Sequence, residues 1–190
     1  MTMLNPSPSA KRSLLAAARR SAAMSFAVQA SPLIRSPLNG LSVTNRLRPP
    51  APALRAGFGV GIHTALARIE GRPVGLIANS SVHLGGAIDA DGADKAARFM
   101  QLCNAHGLPI VSLVDTPGFM VGPDTEATAQ VRHVSRMFVA AAHLRVPLLS
   151  VVLRKGYGLG AMAMTGGGFH ETLATVAWPT GEFGGMGLEG

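Results

Sequence analysis

The sequence is poor in cysteine, in aromatic residues and in long apolar runs. Its 190 residues include one cysteine, Cys103, which excludes an intrachain disulfide and a cysteine-based zinc site. Aromatic residues make up only 5%, so a core must be built mainly from aliphatic side chains and methionine. No apolar run reaches the roughly 18–20 residues that a bilayer-spanning helix requires. We therefore expect a globular protein without a membrane span, and we expect Cys103 to be a buried structural thiol.

Acidic residues are absent from the first 56 positions, which carry eight Lys and Arg residues. Residues 57–190 hold the other nine basic residues and all ten acidic ones, so the net charge of +7 belongs to the N-terminal segment. A near-neutral remainder gives no electrostatic surface for DNA or RNA, and no nucleic-acid partner is expected. Residues 1–56, rich in Pro, Ser, Ala and Arg, are predicted to be a disordered extension of a cytoplasmic protein. The alternative is a transit peptide to the mitochondrial matrix or a plastid.

From residue 57 onward, short apolar strands alternate with amphipathic helices. The predicted strands lie at residues 60–69, 74–78, 110–114 and 148–153. The predicted helices lie at about residues 91–106 and 125–144, the second with Asp124 as its N-cap. The cluster Asp89, Asp91 and Asp94 is interpreted as acidic capping of the first helix. This alternation predicts parallel βαβ units and the α/β class.

Ligands of such folds gather where parallel strands end. Two loops occupy that position, at residues 115–119 and 154–160. Glycines 156, 158 and 160 allow backbone N–H groups to approach a ligand, and a short helix predicted from residue 161 adds its positive end. Such a loop could hold an oxyanion. The spacing of the glycines alone favours a plain turn.

Side chains that carry common enzyme chemistries are missing. The Asp115 loop is not accompanied by a phosphate-binding G-x-x-x-x-G-K-[ST] segment, which excludes a nucleotide hydrolase. The six histidines show no metal-ligand spacing, so no metal is expected, and no G-x-S-x-G nucleophile motif occurs. An enzymatic activity would have to rest on backbone donors or on a cofactor.

Several motifs, in order and at matching spacing, resemble the carboxyltransferase subunits of biotin-dependent acyl-CoA carboxylases, the family of acetyl-CoA and propionyl-CoA carboxylases. They are Gly85-Gly86-Ala87-Ile88-Asp89, Gly92-Ala93-Asp94-Lys95-Ala96-Ala97-Arg98-Phe99, Val114-Asp115-Thr116-Pro117-Gly118-Phe119, Arg154-Lys155-Gly156-Tyr157-Gly158 and Ala177-Trp178-Pro179-Thr180. The likeness covers about residues 55–190 and corresponds to the C-terminal half of that carboxyltransferase.

The resemblance implies a fold and a site. The fold would be the α/β crotonase-like (ClpP/crotonase) fold of repeated ββα units, with residues 57–190 as a C-terminal-type subdomain that is truncated at its C-terminal end. The backbone N–H groups of Gly158, Leu159 and Gly160 would form the oxyanion hole for the biotin ureido oxygen. Met162 would lie near the acyl end of the substrate. Further substrate contacts are expected at Tyr157, Asp115, Pro117, Gly118, Phe119, Arg154 and Lys155.

The resemblance also implies partners and a reaction. Carboxybiotin on a separate carrier domain would be the cofactor and a CoA ester, acetyl-CoA or similar, the substrate. Partners would be a biotin carboxylase, a biotin carrier and an N-terminal carboxyltransferase half, in an oligomer. Leu159 and Met162 replace a glycine and an aspartate of propionyl-CoA members, which argues against assuming a propionyl substrate. Two alternatives are an inactive fragment that only assembles with carboxylase subunits and a biotin-independent crotonase-type enzyme, which would need acidic side chains in its pocket.

Overall fold

The computed structural model describes residues 53–69 and 71–186. Its strands are β1 (Ile62–Ile69), β2 (Arg72–Asn79), β3 (Ile110–Thr116), β4 (Leu148–Tyr157), β5 (Ala174–Ala177) and β6 (Glu182–Gly184). Its α-helices are α1 (Ala90–Ala105), α2 (Pro123–Ala127), α3 (Gln130–Ala142) and α4 (Gly158–Met164), and a 3-10 turn spans Leu84–Gly86. The predicted N-terminal extension lies outside the described residues except for residues 53–56.

The first two strands, β1 and β2, form an antiparallel hairpin. Gly71, with φ of 80°, lies in the turn, where a positive φ favours glycine. Helix α1 then packs closely on β2. The approach is so close that a Cβ atom at Gly75 would overlap the Cys103 sulfur. This β1–β2–α1 succession is a ββα unit, as the resemblance implied.

The remaining pairings are parallel, as the strand and helix alternation predicted. The strand order is β1-β2-β3-β4-β5, and β6 pairs with β4 outside this path. The first half of β4 pairs with β5 and its last three residues pair with β6. Residues 154–157, predicted as loop, are therefore strand, and residues 158–160, also predicted as loop, form the first turn of α4. The loop prediction was wrong there because β6, a partner distant in sequence, supplies the ladder.

The predicted helix at 125–144 is divided in two. Ala129 adopts a left-handed conformation, with φ of 59°, between α2 and α3. Asp124 was also wrongly predicted as the N-cap: Gly122 holds that position, Pro123 opens the helix, and Asp124 lies in the first turn.

The core lies between the sheet and helices α1 and α3. Its largest fully buried side chains include Ile77, Met100, Ile110 and Met137. Cys103 is completely buried, and burial raises the pKa of its thiol to about 11. The prediction of a structural thiol is consistent with this position. Among the residues that the structure describes, no helix has the length and apolar character needed to cross a bilayer.

Candidate functional site

Two predicted loops meet at the carboxyl edge of the sheet. A Cβ atom at Gly160 would lie 2.6 Å from the carbonyl carbon of Gly118, so only glycine allows this approach of α4 to the loop after β3. Thr116 fixes that loop, since its hydroxyl accepts from the Gly118 N–H at 3.1 Å and donates to the Gly118 carbonyl at 3.0 Å. The Ile88 N–H also donates to the Gly118 carbonyl, at 3.0 Å. The close approach of Gly160 to Gly118 therefore fixes the position of α4 relative to the loop after β3.

A cavity of about 450 Å³ adjoins the first turns of α4. Its lining residues are Gly158, Leu159, Met162, Gly167, Gly168, Phe169, His170, Glu171, Gly184 and Gly185. The side chains of Leu159, Met162 and Phe169 are apolar, and five lining residues are glycines that present only backbone. Leu159 is 61% exposed, so the cavity opens to the surface of the described chain.

The first two residues of α4, Gly158 and Leu159, lie at this cavity. The first N–H groups of a helix have no acceptor within it. Tyr157, the N-cap residue, makes no side-chain capping hydrogen bond to them. Gly158 and Leu159 line the cavity, whereas Gly160 is buried against Gly118. Donors fixed in the backbone, beside apolar walls, are suited to a carbonyl oxygen on which negative charge develops.

Asp115, predicted as loop, lies near the end of β3 and is engaged in structural contacts. One Asp115 carboxylate oxygen accepts from Arg154 Nε at 3.1 Å and from the Lys155 N–H at 3.3 Å. The Asp115 N–H donates to the Asn79 side chain at 3.1 Å. Asp115 thus ties β2, β3 and β4 together where they end, with Arg154 as an exposed partner.

The other predicted site residues do not line the cavity. Tyr157 is buried and its hydroxyl donates to Glu182. Phe119 packs edge-on against Phe138, with ring centroids 6.3 Å apart. Pro117 lies in the loop that contacts α4. Of the predicted set, Gly158, Leu159 and Met162 line the cavity.

Sequence reasoning missed the remaining cavity wall, formed by residues 167–171 and 184–185. The available signal was the run Gly166-Gly167-Gly168, in which the first two glycines have positive φ values of 79° and 114°. Such a run indicates a tight chain reversal, here one that brings Phe169, His170 and Glu171 back to α4.

The acidic cluster near α1 has two roles. Asp89 caps the helix, accepting from the Gly92 N–H at 2.7 Å, and also contacts His83 at 2.8 Å. Asp94 instead joins α1 to α3 through His133 at 2.9 Å and Arg136 at 2.7 Å. Burial acts to raise the pKa of Asp94, but hydrogen bonds from Arg136 and His133 outweigh it and hold that pKa below its ordinary value. No group of three or more potential metal ligands occurs in the described part of the chain.

Comparison with known proteins identifies the family. Residues 53–190 match the model of the carboxyl transferase domain. The chain is 39% identical over 137 residues to the methylmalonyl-CoA carboxyltransferase 12S subunit of Propionibacterium freudenreichii, covering 72% of this chain and 26% of that protein. It is 38% identical over 137 residues to the biotin-dependent acetyl-/propionyl-CoA carboxylase beta5 subunit of Mycobacterium tuberculosis, covering 72% of this chain and 25% of that protein.

Solved structures agree with this assignment. A single-chain, multi-domain long-chain acyl-CoA carboxylase is 65% identical, with a TM-score of 0.72, over 73% of this chain and 14% of that one. The fold is the crotonase-like fold of the carboxyltransferases, as the resemblance implied. The chain spans about a quarter of the length of the curated relatives described above. This chain belongs to the carboxyl transferase domain family of biotin-dependent acyl-CoA carboxylases.

Proposed function

We propose that this chain provides the biotin-side part of a carboxyltransferase that moves a carboxyl group from carboxybiotin to the α-carbon of an acyl-CoA. The family match carries the proposal, together with the cavity that the first residues of α4 line. Gly158, Leu159 and Gly160 are the proposed oxyanion-hole residues. Gly158 and Leu159 act at the cavity, while Gly160 lets α4 approach the Gly118 loop.

The residues present fit the ureido ring system of biotin. The carbonyl oxygen of the ureido ring needs hydrogen-bond donors, its N–H groups need acceptors, and the fused thioether ring is apolar. The cavity offers apolar side chains at Leu159, Met162 and Phe169, the polar side chains of His170 and Glu171, and glycine backbone elsewhere. When bound, carboxybiotin supplies the carboxyl group that is transferred. The work of this chain is to orient the ring, exclude water and stabilise negative charge on an oxygen; removing one such donor typically costs about 3–4 kcal/mol in the transition state.

The identity of the acyl group on the substrate is a separate and more specific proposal. Acetyl-CoA, the expected substrate, is not singled out: relatives are named for methylmalonyl-CoA, for acetyl-/propionyl-CoA and for long-chain acyl-CoA. The apolar side chains of Leu159 and Met162, and 65% identity to a long-chain carboxylase, favour an acyl chain longer than acetyl. The proposed partners are a biotin carboxylase, a biotin carrier and an N-terminal carboxyltransferase half.

An NMR titration of the ¹⁵N-labelled chain with free biotin tests the proposal without requiring the partners. We expect the amide signals of Gly158 and Leu159 to move at millimolar biotin. Met162→Trp, which fills the cavity, should abolish the shifts. Val131→Trp, the same change at a position on α3 that is 69% exposed, should leave them intact. Unmoved amides in the wild type, or shifts that survive Met162→Trp, would contradict the proposed biotin site.

One observation favours a second candidate, a biotin-independent enzyme acting on CoA esters. His170 and Glu171 line the same cavity, and such side chains could serve as general acid and base. A hydratase of this kind would remove the absorbance of an enoyl-CoA, and Glu171→Gln would slow it about 100-fold or more. Absence of turnover by the wild-type chain would leave only the carboxyltransferase proposal.

A further inference from the structure

A hydrogen bond between two side chains joins the end of β4 to the start of β6. The Tyr157 hydroxyl donates to a carboxylate oxygen of Glu182 across 2.5 Å. Tyr157 is only 6% exposed, whereas Glu182 is exposed. A hydrogen bond from a hydroxyl to a carboxylate is shorter and stronger than one between neutral groups. The pair is therefore a specific connection between the two strands.

This connection lies directly beside the cavity. Strand β6 pairs with β4 at three positions, Lys155 with Glu182, Gly156 with Phe183 and Tyr157 with Gly184. Residues two apart in a strand point to the same face, so Tyr157 can reach past Gly184, which has no side chain, to Glu182. The chain continues from Glu182 to Gly184 and Gly185, which line the cavity together with Gly158, the residue after Tyr157.

Phe183, the residue of β6 between Glu182 and Gly184, makes its contact on the opposite face of the strand. The ring of Phe183 packs against Phe169, with centroids 5.8 Å apart. Phe169 itself lines the cavity. A ladder of three residue pairs is short, so we expect side-chain contacts to contribute much of the positional order of β6. Tyr157 fixes this strand to β4, and Phe183 fixes it to the 167–171 segment.

We propose that Tyr157 and Glu182 are positioning residues for carboxyl transfer, a role that rests on the function proposed above. Their hydrogen bond sets the distance between the first turn of α4 and the wall formed by Gly184 and Gly185. Neither residue is part of the cavity lining, so the pair acts through the backbone of Gly158, Gly184 and Gly185. The pair thus controls the width of the cavity rather than its chemistry.

The variants that test this role separate the hydrogen bond from packing. Tyr157→Phe keeps the ring and removes the hydroxyl. Glu182→Gln keeps an oxygen acceptor, and Glu182→Ala removes it. Glu126→Ala, at an exposed acidic residue of α2, is the matched control. Each variant of the full chain is assayed with the N-terminal carboxyltransferase half, biotin carboxylase and biotinylated carrier, and amide hydrogen exchange is measured on the chain itself.

We expect Tyr157→Phe and Glu182→Ala each to lower kcat about tenfold, while KM for the acyl-CoA stays within about twofold. Glu182→Gln should keep most of the wild-type kcat. The double variant Tyr157→Phe/Glu182→Ala should be no slower than either single variant, because both substitutions remove the same hydrogen bond. Exchange of the Gly184 and Gly185 amides should be faster in Tyr157→Phe and unchanged in Glu126→Ala.

The outcomes distinguish this role from the proposed function. If the wild type transfers carboxyl groups and Tyr157→Phe keeps both its kcat and its amide exchange, the positioning role is overturned and carboxyl transfer stands. Additive losses in the double variant would also overturn it. If Tyr157→Phe fails to fold, the two Glu182 variants decide. Equal kcat values for Glu182→Gln and Glu182→Ala would then overturn the positioning role. A wild-type chain that supports no transfer overturns the proposed function itself.

Discussion

Replacing Gly160 by alanine tests the contact that joins α4 to the loop after β3. Gly160 lies within α4, where helix propensity alone predicts that alanine stabilises the protein by up to about 1 kcal/mol. The added Cβ atom, however, would lie 2.6, 2.8 and 2.9 Å from the carbonyl carbon, Cα and carbonyl oxygen of Gly118. All three are backbone atoms, and hydrogen bonds donated to the Gly118 carbonyl by the Thr116 hydroxyl and the Ile88 N–H hold their loop in place.

The steric effect is expected to exceed the propensity. Overpacking a rigid contact costs typically about 1–3 kcal/mol. The neighbours here cannot rotate away, so we take the upper part of that range. The net expectation for Gly160→Ala is a loss of about 1–2 kcal/mol in the free energy of unfolding, which lowers Tm by roughly 2–8 °C for a protein of this size.

Urea unfolding, followed by the fluorescence of the single tryptophan Trp178, measures this difference. Gly57→Ala is the matched control, because its Cβ atom would meet nothing within 4 Å and its φ is not in the left-handed region. We expect this control to have wild-type stability or slightly more. If Gly160→Ala is as stable as Gly57→Ala, the close approach of α4 to the Gly118 loop is refuted, and with it the geometry of the site.

Two further predictions concern groups outside the cavity. Because the pKa of Asp94 is lowered in the folded protein, its carboxylate contributes stability that is present above its unfolded pKa of about 4 and lost as pH falls through the folded value. Asp94→Asn should therefore reduce stability by about 0.5–1 kcal/mol at pH 7, and the difference from wild type in urea melts should shrink as pH falls below about 4; a difference that stays constant on acidification would contradict this. Burial raises the pKa of Cys103 to about 11. A thiol reagent at pH 8 should therefore leave it unmodified in the folded protein and modify it fully in urea, and rapid reaction in the folded protein would show that Cys103 is accessible.

Local sequence patterns predicted most of the parallel core. The apolar runs at 74–78 and 110–114 lie within β2 and β3, and the three- and four-residue spacing of Ala96, Phe99, Met100 and Cys103 matches the buried face of α1. These elements follow from side-chain periodicity, which is a property of neighbouring residues. The predicted capping by Asp89 likewise depends on residues three positions apart and is confirmed.

Features that depend on distant residues were not predictable in the same way. Nothing near residues 155–157 indicates that Glu182, Phe183 and Gly184 pair with them. The wall containing Phe169 requires knowledge of how a glycine run reverses the chain. The break at Ala129 was also missed, because alanine favours helix and enters the left-handed region only when the surrounding structure determines it. The site residues were therefore reached through a family resemblance, and their roles remain predictions.

Carboxyl transfer by the reassembled enzyme tests the central proposal most directly. The chain is mixed with the N-terminal carboxyltransferase half and a carrier bearing ¹⁴C-carboxybiotin, and acid-stable ¹⁴C is measured in acetyl-, propionyl- and long-chain acyl-CoA. We expect label in at least one acyl-CoA, only when this chain is present, with loss in Met162→Trp and retention in Val131→Trp. A carrier that keeps its label in the presence of every acyl-CoA would contradict a carboxyltransferase role for this chain.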